Sequence, residues 1–74
     1  MKEEYAVILA PSTSYAIQIE RLLQKSGMLC KLIPVPRQLS SDCGVCVRIY
    51  RENARTVLDI IRGAGISIEG LHEI

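Results

Sequence analysis

Tryptophan and phenylalanine are missing from these 74 residues, and three scattered tyrosines are the whole aromatic complement. Basic charge is equally thin: nine Lys and Arg stand against eight Asp and Glu, and no two basic residues adjoin. Neither a stacking platform nor an electrostatic footprint for nucleic acid is expected, so nucleic acid is set aside as a partner. Long apolar runs are lacking too. Tyr5 to Ala10 is far shorter than the roughly 20 residues of a membrane span. It also lacks the length and the small-residue cleavage site of a signal peptide. No membrane partner and a cytoplasmic location are the expectation. One histidine and three cysteines leave few ligands for a structural metal, so neither metal nor cofactor is expected. In a cytoplasmic chain Cys30, Cys43 and Cys46 should be thiols rather than a structural disulfide.

A chain of 74 residues predicts a single domain, 1–74, with a thin core that buries about 60–65% of the surface its unfolded form exposes. There is little bulk to enclose a deep substrate cavity. Tyr5 to Ala10, apolar on both faces and ended by Pro11, reads as a central strand. Pro11-Ser12-Thr13-Ser14 supplies N-cap hydroxyls for a helix reaching about Ser26, with Ala16, Ile19, Leu22 and Leu23 as its inner stripe and Gly27 at its stop. Leu29 to Val35 is a second strand, closed by Pro34 and Pro36 and therefore an edge. Val45, Val47 and Ile49 alternate with Cys46, Arg48 and Tyr50, the period of a strand with two unlike faces. Glu52-Asn53 opens a second helix, ended by Gly63-Ala64-Gly65, and Ile66 to Ile74 is a last strand.

The order is βαββαβ. Two right-handed strand–helix–strand units of this kind predict an α+β, ferredoxin-like fold, a four-stranded antiparallel sheet with two helices on one face. The first and third strands are then antiparallel neighbours at its centre. The end of the first strand, with Ser12, Thr13 and Ser14, lies beside the start of the third, with Cys43 and Gly44. A helix N-terminus favours an anion, and a thiolate is one; beside such a terminus or a cation its pKa drops below the usual 8.5 or so. Arg37 lies on the same loop, Pro34 to Cys46, which also carries Ser40 and Ser41. Cys43 thus reads as a candidate activated thiol, with a small inert loop cysteine as the bland alternative. The all-apolar first strand also predicts that the helix-free sheet face meets a second copy or a partner protein.

Cys43-Gly44-Val45-Cys46 is a CxxC, but only Cys30 and His72 remain to complete a zinc site. Pairing the second and third strands as a hairpin puts Cys30 about opposite Tyr50, far along the ladder, so a metal site is not expected. A dithiol is the other option. Residues three apart in a strand lie about 10 Å apart, against about 7 Å for a bridge. A Cys43–Cys46 disulfide therefore needs Gly44 to turn or bulge. Cys46 also suits a plain small residue on the second sheet face, Cys30 a structural one, and His72 a surface one.

Ser40-Ser41-Asp42-Cys43-Gly44, preceded by Ile33-Pro34-Val35-Pro36-Arg37 and followed by Val45-Cys46-Val47-Arg48, resembles the small bacterial selenium/sulfur carrier-like proteins. The resemblance extends to the Pro-Ser before the first helix and the Ala-Gly-Ile before the last strand. It implies that Cys43 bears sulfur or selenium as a persulfide or selenosulfide, taken from a cysteine-desulfurase-type donor and passed to an unspecified acceptor. Ser40, Ser41 and the Gly44 amide would donate hydrogen bonds, and Cys46 could resolve a persulfide into a disulfide. Such a carrier need not be an enzyme by itself. The rivals are a noncatalytic module that dimerises or binds a partner or ligand, and a Cys43/Cys46 thiol-disulfide redox protein.

Overall fold

The structure, a computed structural model, describes residues 4–39 and 44–74. The elements run β1 (Tyr5–Leu9), α1 (Thr13–Lys25), β2 (Cys30–Pro34), β3 (Val45–Tyr50), a 3₁₀ turn (Arg51–Asn53), α2 (Ala54–Gly63) and β4 (Gly70–Glu73). They form one antiparallel sheet of order β2-β3-β1-β4. This is the α+β ferredoxin-like arrangement, with both helices on one face.

The helices arise where local chemistry and apolar spacing agree. Ser12 is extended, and its hydroxyl accepts from the Tyr15 N–H at 3.4 Å, a weak N-cap bond. Ala16, Ile19 and Leu23 then recur at helical spacing and are fully buried. Gly27, at φ +77°, takes the left-handed turn that ends α1, with Met28 N–H donating to Leu23 O and Gly27 N–H to Gln24 O. The second half of the chain repeats the device. Gly65, at φ +72°, ends α2 while Ile66 and Gly65 donate back to Ile61 and Arg62. Gly63 is still helical, so Gly65 alone carries the turn.

Ala6 and Ile8 of β1 and Val47 and Ile49 of β3 face the helices and pack with Ile19, Leu23, Val57 and Ile61. Val7, Leu9 and Cys46 point to the other face, yet they are buried as well. Ile33, Val35 and Leu39 lie over them, so the chain's own β2 end and the segment after it cover this half of the sheet. For this half, the cover that the all-apolar β1 was expected to find in a second copy or a partner protein comes from within the chain.

Two other expectations are corrected. Cys30 pairs with Ile49 rather than Tyr50. A one-residue slip exchanges faces, and the observed register keeps Cys30, Leu32, Val47 and Ile49 together against the core. The last strand is also shorter than 66–74. Ile66 and Ile68 pack on the core outside any strand, and Glu69 N–H reaches Leu9 O at 2.7 Å just before pairing begins at Gly70. At the far end of the sheet Arg51 draws the chain's ends together. Its guanidinium bonds the Glu4 carboxylate at 3.1 Å and the Ile74 carbonyl at 3.1 Å, while its Nε stands 3.7 Å from Glu73, too long for a hydrogen bond. No helix among the described residues is long and apolar enough to cross a membrane.

Candidate functional site

The β1–β3 ladder ends at Leu9↔Cys46, so continuing it outward brings Pro11 towards Gly44. The start of α1 and the end of the β2–β3 loop therefore share one end of the sheet, as the topology required. Ser12 is half-buried and committed to its cap, whereas Thr13 and Ser14 are exposed in the first turn. That turn contains no acidic side chain to neutralise the positive end of the helix.

Pro36 to Leu39 form a turn closed by Leu39 N–H to Pro36 O at 3.0 Å. Arg37 is exposed at its tip, while Leu39 is half-buried and packs down toward Cys46. Gly44 is exposed, and its carbonyl accepts from Val35 N–H at 3.2 Å. Its φ is not in the left-handed region, and a Cβ there would meet nothing within 4 Å, so neither backbone nor neighbours demand glycine. Cys43, Ser40 and Ser41 lie outside the described residues.

The other two thiols are described, and neither has the setting of a nucleophile. Cys46 is completely buried between Leu9 and Ile33 on the neighbouring strands, and its thiol lies 3.9 Å from Pro34 O, which it faces as donor. Cys30 is half-buried on the helix side, with its thiol donating to the Glu20 carbonyl at 3.6 Å. Burial, and secondarily the Glu20 carboxylate, pushes the Cys30 thiol above its ordinary value. Thiolate is the reactive form, so Cys30 should alkylate more slowly than a free thiol at any pH near neutrality.

The same shift has a consequence for stability. The folded chain holds the Cys30 proton to higher pH than the unfolded chain does. The contribution is therefore present below the ordinary thiol pKa and is lost as pH rises through the higher folded value. Urea midpoints should fall over that alkaline window in the wild type and fall less in Cys30→Ala. Parallel declines would show that Cys30 is not the titrating group.

A second cluster lies at the opposite end of the sheet. The Tyr5 and Tyr50 rings stack with centroids 5.3 Å apart, and the Arg48 guanidinium lies 4.2 Å over the Tyr5 ring. Two of the three tyrosines that look scattered in sequence thus meet in space. The available signal was strand parity: the first residue of β1 faces the last residue of β3 when the two are antiparallel neighbours. Among the described residues, no group of three or more His, Cys, Asp or Glu could hold a metal.

Residues 4–73 match the model of a family described as "Putative Se/S carrier protein-like". No curated protein and no solved structure matches the chain.

Proposed function

From the chain's membership of the Se/S carrier protein-like family, whose model spans residues 4–73, we propose that it carries sulfur or selenium covalently on Cys43. The observation that carries this reading is the state of the other two thiols. Cys46 is sealed under Leu39, Val35 and Ile33, and partial burial pushes the Cys30 thiol above its ordinary value. Cys43, on the polar loop between Pro34 and Val45, is the thiol left for chemistry.

In the loading step the Cys43 thiolate attacks the terminal sulfur of a donor persulfide, R–S–SH. The donor's S–S bond breaks, its electron pair leaves on the donor thiolate, and the proton travels with the sulfur to give Cys43–S–SH. No external oxidant or reductant is consumed. With selenium as cargo the same displacement gives Cys43–S–SeH. The donor is a protein persulfide of the cysteine-desulfurase type, and delivery repeats the displacement on an acceptor nucleophile. The α1 N-terminus and Arg37 favour the anionic forms, and Ser40, Ser41 and the Gly44 amide supply hydrogen-bond donors. A small domain suffices because the donor and acceptor proteins complete the enclosure around the reacting sulfur.

Alkylation rate against pH, followed by intact mass on wild type and each single Cys→Ser variant, tests the premise. Cys43 should react fastest, with an apparent pKa below the ordinary value of about 8.5. Ordinary titration of all three thiols would discard the carrier and favour a noncatalytic partner-binding module.

A further inference from the structure

The half of the open sheet face that the described residues leave uncovered is not apolar. It holds a groove of about 200 Å³ lined by Tyr5, Leu29, Lys31, Arg48 and Tyr50. Three features point to a ligand. Lys31 and Arg48 are direct cross-strand partners, and like charges in that position cost stability unless something offsets them. Among the described residues no acidic side chain lines the groove and neither cation has an ion pair. The third is the ring stack. Arg48 spends its guanidinium face on Tyr5, a contact that uses the π surface and leaves the N–H edge for an acceptor. Tyr50 and the largely exposed Leu29, at 68% of full exposure, add apolar surface beside the two charges.

We infer that this groove binds a small planar aromatic ring bearing a phosphate, the class that includes aryl and nucleoside monophosphates. Two adjacent cations match a phosphate dianion, and charge-assisted contacts of this kind are the stronger ones. The tyrosine and leucine surface matches a flat ring. The volume sets the size: it is below the usual range for drug-sized ligands and suits one ring with its substituent. The site stands at the opposite end of β1 and β3 from the Cys43 loop, so it is independent of the carrier reading.

Phenyl phosphate is the probe, titrated into the isotopically labelled full chain by NMR, with phenol and inorganic phosphate as the two half-ligands. Saturable shifts centred on Lys31, Arg48 and Tyr50 are expected, with a dissociation constant of about 1 mM or tighter. Each half-ligand should bind at least about tenfold more weakly. Lys31→Ala and Arg48→Ala should each weaken phenyl phosphate by about tenfold. Lys31 is exposed on an edge strand, so its variant tests the charge without endangering the fold. Shifts that do not saturate, shifts centred elsewhere, equal binding of either half-ligand, or an unchanged affinity in Lys31→Ala would each overturn the assignment.

Discussion

Cys43→Ser is expected to abolish loading: after incubation with a protein persulfide donor, wild type gains the mass of one sulfur and the variant gains none. Serine retains the size and hydrogen-bonding capacity of the position. What it loses is an ionisable group near neutrality and the capacity to form an S–S bond, so the loss should be complete rather than graded. Reductant should remove the added mass from wild type. Cys30→Ser should load normally, because the Cys30 thiol is disfavoured as an anion and bonded to Glu20. Cys46 calls for alanine instead, since a hydroxyl inside the Val7–Leu9–Cys46 cluster would cost about 1–3 kcal/mol wherever its hydrogen bond is poorer than it would be in water. Cys46→Ala should also load. If Cys46 resolves the persulfide, its thiolate attacks the Cys43 sulfur and expels HS⁻, leaving a Cys43–Cys46 disulfide and hydrogen sulfide. The alanine variant would then hold its sulfur longer than wild type. An equal gain of sulfur on Cys43→Ser would end the proposal, whatever the other variants do.

How much of this could be read beforehand depends on whether one residue or a pairing carries the information. Alternation placed Val45, Val47 and Ile49 on one face and Cys46, Arg48 and Tyr50 on the other, because strand parity is local. The Ser12 cap and the glycine stop at Gly27 were equally legible, each being decided within one helical turn. The β2–β3 register was missed by one residue. Register is fixed by which side chains both strands bury, and the length of the connecting loop does not reveal it. The burial of Val7, Leu9 and Cys46 was hidden for the same reason: their cover comes from Leu39 and Val35, polar-loop neighbours in sequence. Tyr5 and Tyr50 looked scattered since 45 positions of chain, by their numbers, separate two rings only 5.3 Å apart. Of the candidate site, the α1 terminus, Arg37, Gly44 and Cys46 could be followed into the structure.

Ile8→Ala should be the most damaging single truncation for the scaffold. Ile8 is fully buried in β1, one of the two central strands, between Val47 on β3 and Leu71 on β4, and it packs beneath both helices. Removing its outer atoms loses their transfer free energy and leaves a cavity that the rigid centre of a sheet closes poorly, for a cost of about 2–5 kcal/mol. Small domains have total stabilities toward the lower end of roughly 5–15 kcal/mol, so this is a large share of the whole. The urea midpoint should drop with little change in the slope, and Tm should fall by roughly 10 °C or more. Leu29→Ala, at a position 68% exposed, should stay within about 0.5 kcal/mol of wild type. The effect on function follows from the topology. β1 leads through residues 10–12 into α1, and its ladder with β3, ending at Leu9↔Cys46, directs that terminus towards the Gly44 end of β3. Loosening the ladder should therefore raise the apparent pKa of Cys43 at temperatures where the variant is still folded, while leaving the slow alkylation of Cys30 unchanged. A variant as stable as wild type would refute the packing account. A destabilised variant with an unaltered Cys43 titration would show that the helix terminus does not act on the thiol.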